Sequence, residues 1–558
     1  MKMNTYLFVA AAVSAGLAVS AFADKSCGIS CDLGKLVAED LSHEVRPGGV
    51  GGSPFWNVYM KAFMYPPAFD FKRIGGAKSY RFDVVDDRHV TRSFDAERPT
   101  ASLKPVWLET PAGMVTVYCE ALDAEGRSLG VAGRRTFWKR APFDPRPGAY
   151  PQAARPYAEA IAKGYEFVLT MRASQYLLEH GETDPTYDNN SYPTKMCSAI
   201  VRAMSHYAKI NPARKEAALK LGRAACEYMI RRSAAPNAPC AYFPPTYEDE
   251  TRPELCIQAA KKQLGKTMMI YPAEGGEAFL DFAAATGEQR YLEQARRIAD
   301  TYLRLQGPEG TWALMVSLKD GKDASKTRLV PTTVAEFLLH VGQVTGEKRY
   351  TDAADRAFAW MEQRGPVKDF CWEGQFEDAK PDRPKYYNLS KHMSSDYALF
   401  LLKRFPGDKA KVALARELLR FGEDQFVYWK LPQSGNGAKM VTYPVLAGHH
   451  HEEFSFDHWY DLPAVGEQTG WNIPIDASAA KMIRLYLALY AAEKNPIDLL
   501  KARTLGDSIT RAQLGNGDVV TQWTLPYLYL QTQGSKSGWI NCLVQAVEAL
   551  ELLETVIL

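Results

Sequence analysis

Glu277 to Gln306 reads EAFLDFAAATGEQRYLEQARRIADTYLRLQ, and fifty-nine residues further on Glu336 to Gly365 reads EFLLHVGQVTGEKRYTDAADRAFAWMEQRG. At this offset Thr286-Gly287-Glu288 falls on Thr345-Gly346-Glu347, and Arg290-Tyr291 on Arg349-Tyr350. The Gly ends one helix in the left-handed conformation that suits it, and a second helix starts at once. Tyr291, Ala295, Ile298, Ala299, Tyr302 and Leu305 then recur on one helical face. A period of this length marks stacked helical units, so further copies are expected on either side.

Working outward, the helical pattern runs from about residue 155 to the end: 155–180, 194–209, 213–232, 272–286, 288–305, 332–345, 347–364, 391–405, 408–427, 476–493, 495–513 and 538–556. Consecutive members pair through tight turns into five hairpins, and the last helix pairs with the first if the array closes. Closure also removes the exposed ends that an open solenoid must cap. The segments between hairpins are long: 233–271, 306–331, 365–390, 428–475 and 514–537. In a ring of hairpins they fall on one end, and long loops in a compact domain usually carry function.

Before residue 150 the period changes to two. Tyr80-Arg81-Phe82-Asp83-Val84, Val115-Thr116-Val117-Tyr118 and Thr136-Phe137-Trp138 alternate, separated by turn residues such as Asp123 to Gly126. This predicts a small antiparallel sandwich over 53–145. Residues 24–52 read as a polar, Gly-rich linker. Residues 1–23 read as a signal peptide: Lys2, an apolar run from Leu7 to Val19, and Ala21-Phe22-Ala23 as the cleavage site. The chain is therefore expected to be secreted or periplasmic, with no membrane span once the signal is removed.

The net charge of +2 provides no field that would draw nucleic acid or a membrane surface. Nine cysteines cannot pair completely. Cys27 with Cys31 and Cys240 with Cys256 are close enough to pair, although spacing alone does not establish either bond. Cys197, Cys226 and Cys542 lie in helical patterns and read as small core residues.

The helix count, the loop asymmetry and the aromatic loops of residues 150–558 resemble the six-hairpin glycosidase superfamily of carbohydrate-active proteins. The run Leu103-Lys104-Pro105-Val106-Trp107-Leu108, with Pro111-Ala112-Gly113 and a strand after it, resembles a fibronectin type III module. Together these imply a mainly α protein, an (α/α)6 toroid of six helical hairpins preceded by a small all-β sandwich. The resemblance implies an oligo- or polysaccharide substrate bound on the long-loop face. It implies no cofactor, and the sequence carries no reading of oligomeric state.

Glycoside hydrolysis needs two carboxyls, one protonated and one ionised. Asp188, Glu373, Asp457, Asp461 and Glu467 are the candidates. Glu274 and Glu277, flanking Gly275-Gly276 at an inner-helix start, are further carboxyls to weigh; N-capping also accounts for Asp188, and a solvated first turn is the competing account of Glu274 and Glu277. Lyases and epimerases that act on uronic acids use Tyr or His instead, and for them Tyr387, His392, His450, His458 and Tyr460 would serve. Asn189, Asn190, Tyr192, Trp312, Trp372, Trp459, Trp471 and Trp523 are candidates to bind sugar, since sugar C–H faces stack on rings; packing of the loops is the competing account. No metal is expected: the residues of the His449–His451 run are adjacent, which rarely aims them at one ion, and no HExxH spacing occurs. A glycoside hydrolase acting on a glycan, with uronic acids among its substrates, is the first expectation. A uronate lyase or epimerase, or a non-catalytic glycan-binding protein, are the alternatives.

Overall fold

The computed structural model describes residues 32–45, 57, 59–248, 257–377, 382–430, 462–469, 471–524, 530–534 and 537–557. The segment expected to be a signal peptide lies outside the described residues. The expected linker is in part a helix, α1 (Leu33–Leu41). Asp32 caps it by accepting from the Lys35 amide at 3.2 Å, and Val37 is buried.

A sheet follows, made of β1 (Ala62–Phe63), β2 (Ser79–Asp86), β3 (Thr91–Ala96), β4 (Gly113–Leu122) and β5 (Ser128–Lys139). Its order is β1-β5-β4-β2-β3, with β1 parallel to β5 and the other pairs antiparallel. Alternation reads out as expected, with Tyr80, Phe82 and Val84 buried on β2, and Val115, Val117 and Cys119 on β4. In place of the expected sandwich, the described residues form one sheet rather than two facing ones, and Phe69, Phe71 and Trp107, from outside its strands, cluster with Phe63 and Phe137 of the sheet.

The helical domain comprises α2 (Tyr157–Thr170), α3 (Arg172–His180), α4 (Pro193–Ile210), α5 (Lys215–Arg232), α6 (Tyr271–Thr286), α7 (Gln289–Leu305), α8 (Thr332–Thr345), α9 (Lys348–Gln363), α10 (Lys391–Arg404), α11 (Lys409–Phe426), α12 (Asp476–Glu493), α13 (Pro496–Ala512) and α14 (Ile540–Ile557). The predicted helix over 155–180 is two helices, because Met171 takes an extended conformation between them. Helices α4/α5, α6/α7, α8/α9, α10/α11 and α12/α13 pack as hairpins, and α14 packs on α2. Inside these, α4, α6, α8, α10, α12 and α14 touch in succession, and α14 returns to α4. The ring is closed, which makes it an (α/α)6 toroid.

The duplicated stretch explains how neighbouring hairpins adhere. Gly287 and Gly346 are left-handed at φ 78° and 74°, and each ends its helix through a bond from its own amide. Arg290 and Arg349 lie 4.6 Å from the ring centres of Tyr291 and Tyr350. The Tyr291 hydroxyl donates to Glu227 of α5 at 3.0 Å, and that of Tyr350 to Asp300 of α7 at 2.7 Å. Arg223 and Arg296 reach forward to Glu288 and Glu347 at 2.5 and 3.0 Å. The repeated Gly-Glu-x-Arg-Tyr is thus a fastening between successive outer helices. Gly276 serves the inner ring: a Cβ there would stand 2.3 Å from the Phe337 ring of α8.

The sheet and α1 dock on the outer helices through buried polar contacts. The Asp424 carboxylate accepts from the Tyr65 amide at 2.8 Å, and Gln425 donates to the Ala62 carbonyl at 2.9 Å. Asp40 of α1 pairs with Arg420 at 2.9 Å.

Candidate active site

All the long connections run from the end of an outer helix to the start of an inner one. They therefore gather over the N-terminal ends of the inner helices. Beneath them lies a cavity of about 780 Å³. Each inner helix contributes side chains at helical spacing: Lys195, Ser198 and Arg202 from α4; Tyr271, Glu274, Glu277 and Asp281 from α6; Thr333, Glu336 and His340 from α8; His392, Met393, Asp396 and Lys403 from α10; Lys481 and Arg484 from α12; Asn541, Cys542 and Gln545 from α14. The loops add Gln375, Phe376, Glu377, Glu467, Gln468 and Trp539.

The loop residue Glu377 is clamped. Lys195 forms an ion pair with it and the Tyr271 hydroxyl donates to it, while Tyr247 donates to its backbone carbonyl at 2.8 Å. Burial alone would raise its pKa, but Lys195 outweighs this and holds the carboxyl below its ordinary value. Other cavity charges are also matched. Arg202 and Arg484 share Glu548, each at 2.6 Å, Lys481 pairs with Asp396, and His340 meets Glu277 at 2.7 Å. The hydrogen bond to Glu277 raises the His340 pKa.

Glu274, Asp281 and Glu336 differ. None of them has an ion pair or a side-chain hydrogen bond among the described residues. Burial pushes Glu274 up to about 7, only partly offset by Lys195 and Arg202. Burial, with Asp396 adding to it, pushes Glu336 to about 7, and burial also raises Asp281. His392 is driven the other way, well below its usual range, by burial and then by Lys391. Its Nε2 has no hydrogen-bond partner, with the Glu467 Oε1 atom 3.4 Å away, and Phe376 lies edge-on to the ring at 5.2 Å.

The raised carboxyls give a pH test. Folded Glu336 keeps its proton up to about pH 7, whereas an unfolded glutamate releases it near 4.5. Its contribution is therefore complete below 4.5 and is lost as pH rises through 7. Gln cannot ionise. Relative to the native chain, Glu336→Gln gains stability between pH 5 and pH 8, by roughly 1–2 kcal/mol once solvent access is discounted. Thermal unfolding at the two pH values measures this, and an equal difference at both contradicts it.

Of the residues expected from sequence, Glu467 and His392 meet at the cavity wall. Asn189 is one contact away, donating at 2.8 Å to Asn541. The others described lie elsewhere. Asp188 is exposed at the start of the Asp188–Ser191 turn. Glu373 is outside the cavity lining, accepting from the Asn388 amide at 2.9 Å. Tyr387 is half-buried, with the Arg383 guanidinium 4.7 Å from its ring centre. Asn190 accepts from Thr183, and Tyr192 packs against Tyr247 at 6.1 Å.

Trp312, Trp372 and Trp523 are at most 1% exposed, so packing, not sugar stacking, accounts for them. Trp312 also spends its N–H on the Tyr302 carbonyl at 3.0 Å. Trp471 opens a strand, Trp471–Pro474. Asp457, Asp461, His450, His458, Tyr460 and Trp459 lie outside the described residues. The solvated first turn expected for Glu274 and Glu277 is instead a half-buried cavity wall.

No protein-family model matches the sequence, and no curated protein matches it. Among solved structures the chain is similar to a family 76 glycoside hydrolase from a bovine Bacteroides thetaiotaomicron strain, with a TM-score of 0.43 and 13% identity over 86% of this chain and 93% of that one. It is also similar to a cellobiose 2-epimerase from Spirochaeta thermophila, with a TM-score of 0.46 and 13% identity over 73% and 100% of the two chains. A third is an unsaturated glucuronyl hydrolase from Streptococcus agalactiae, with a TM-score of 0.45 and 11% identity over 71% and 90%. At these values the likeness carries no argument about chemistry; the toroid rests on the closed ring of helices.

Proposed function

We propose that the protein is an exported carbohydrate-active enzyme, a glycoside hydrolase, with Glu274 as proton donor and Glu467 as the second carboxyl. The observation that carries this reading is the state of Glu274. It faces the cavity without a hydrogen bond, held at about 7 by burial, one helical turn from the Tyr271 that fixes Glu377. A carboxyl that keeps its proton near neutrality can give it to a departing sugar oxygen. Glu467 is on the strand Ala464–Gln468 that leads toward α12. Glu467 lines the same cavity beside His392 of α10, so both carboxyls are open to one bound sugar.

One observation favours a second reading. His392 is kept neutral by burial and its Nε2, 3.4 Å from Glu467 Oε1, makes no hydrogen bond among the described residues, which suits it to take a proton from a sugar carbon, as an epimerase or lyase does. Product mass on a panel of neutral and acidic glycans separates the readings. Hydrolysis adds one water and creates reducing ends. Epimerisation leaves the mass unchanged, and elimination creates an ultraviolet-absorbing unsaturated sugar. Retained mass with a changed sugar, and no new reducing end, would replace the hydrolase reading.

A further inference from the structure

Three consecutive residues at the start of α10 address a single glutamate. The Ser390 hydroxyl donates to the Glu467 backbone carbonyl at 3.1 Å, the Lys391 ammonium donates to the same carbonyl at 2.9 Å, and the His392 Nε2 atom lies 3.4 Å from the Glu467 Oε1 atom. The backbones are joined alongside: Ser390 bridges to Gln468, and the Thr469 amide donates to the Leu389 carbonyl at 2.9 Å. Lys391 also donates to the Ser478 hydroxyl in the first turn of α12. Its ammonium therefore ties α10, the strand Ala464–Gln468 and α12 together behind the wall on which Glu467 and His392 line the cavity.

Lys391 is fully buried, lies outside the cavity lining and has no ion pair among the described residues. Packing gives no reason for an ammonium there, because an apolar chain of similar length fills the space without the cost of burying a charge. What the charge does have within reach is the pair in front of it.

We propose that Lys391 is the positioning residue of the Glu467–His392 pair: it anchors the Glu467 backbone, and its charge, behind both groups, opposes their protonation. This rests on the reading of Glu467 as the second carboxyl and deepens it. The surrounding groups set the expected response to pH. Lys391 faces Glu467, Asp396 on its own helix, Lys481 of α12 and Cys542 of α14. Burial brings its pKa down to about 7, partly offset by Glu467. The ammonium is thus charged on the acid side, where the pair would otherwise take up protons, and above 7 a neutral amine still donates a hydrogen bond. His392 faces Lys391, Lys481 and Lys195 of α4; burial is the largest cause of its low pKa and Lys391 the next. Glu467 in turn acts on Asp476, at the start of α12, and on Cys542.

The first test needs no substrate. Magnetic resonance of ring-labelled histidine in the intact protein follows the imidazoles from about pH 4 to about pH 8, with His392 assigned by the signal lost in His392→Gln. The Lys391→Met imidazole is expected to take up a proton at a pH at which the native one does not. The second test is turnover of a panel of nitrophenyl glycosides. Lys391→Met should lower kcat by about 10–100-fold with KM within about threefold, and move the acid limb of the rate up by about one pH unit. Lys391→Gln, which keeps an N–H donor without the charge, should move the limb equally. Ser390→Ala removes the other bond to the Glu467 carbonyl and keeps the charge, so its acid limb should stay in place. If neither charge-free variant folds, or both fold with the imidazole and the acid limb unmoved, the lysine only holds the wall together and the proposal is overturned. A slow Glu467→Gln beside a native Lys391→Met also overturns the lysine's part, and leaves the reading of Glu467 standing. An imidazole shift with native turnover in both Lys391→Met and Glu467→Gln overturns that reading instead. Where no nitrophenyl glycoside is turned over, the imidazole result alone decides.

Discussion

Glu274→Gln is expected to lower turnover by roughly 10²–10⁴-fold, the usual worth of a positioned general acid. Gln keeps the shape of the side chain and removes the transferable proton. Among the described residues Glu274 has no side-chain hydrogen bond to lose, so the variant should fold with undiminished stability. Substrate affinity should change little, because the proton is needed as the glycosidic bond breaks and not when sugar binds. The pH profile carries a second signature. An acid works while protonated, so with a value of about 7 the alkaline limb of the native rate falls about tenfold per unit above 7. A substrate with a leaving group that needs no protonation, such as a nitrophenyl glycoside, should recover much of the lost rate in the variant. Turnover within tenfold of native on the natural glycan, with the alkaline limb unchanged, would remove Glu274 from this role.

The ring was legible in the sequence because its period is long, its turns carry Gly at left-handed positions, and its outer helices repeat Arg-Tyr. Those residues do local work, capping and fastening, that any stacked hairpin needs. The cavity was half legible in the same two stretches. Glu277 and Glu336 occupy the same place in the repeat, and Asp281 and His340 follow each by four residues on helices that are otherwise largely apolar. Polar groups at that spacing inside a buried helix face the centre of the ring, a signal that the first-turn explanation hid. The tryptophans misled for the opposite reason. Rings in long loops are as well suited to sealing those loops against the helices as to stacking on sugar, and local sequence does not distinguish the two; Trp312, with its N–H satisfied by a carbonyl, took the first course. Lys195 and Glu377 lie too far apart in sequence for their pairing to be read. Three of the sheet's five strands were legible as alternation, but alternation says only that one face is buried. It does not say what covers that face, and here it is a folded-back aromatic segment.

Lys501→Met is expected to destabilise the folded chain by about 3–5 kcal/mol, the cost of breaking a buried ion pair from one side. Lys501 is 3% exposed on α13, and its ammonium lies 2.6 Å from Glu423 of α11, which is itself 1% exposed, and 3.7 Å from Asp40 of α1. Glu423 also accepts from the Trp429 indole at 3.0 Å and the Tyr65 hydroxyl at 3.1 Å, so one carboxylate gathers the sheet domain and the outer ring. Without the lysine, Glu423 keeps no cation within ion-pair distance among the described residues, while Asp40 retains Arg420. Acid should expose the same dependence. Burial raises the Asp40 pKa, but Lys501 and Arg420 outweigh it and bring the carboxyl from 3.8 down to about 2. The stabilisation from Asp40 is therefore present above 3.8 and is lost as pH falls toward 2. In the variant that loss should begin at higher pH. Adding Glu423→Gln removes the stranded charge while keeping an oxygen for Trp429 and Tyr65, so the double variant should recover most of the loss, a coupling that a double-mutant cycle on chemical denaturation reads directly. None of these residues lines the cavity, so activity per folded molecule should persist at low temperature. A single variant within 1 kcal/mol of native, or a double variant no better than the single, would show that the sheet domain is held by its apolar contacts and that the charge network is incidental to the docking.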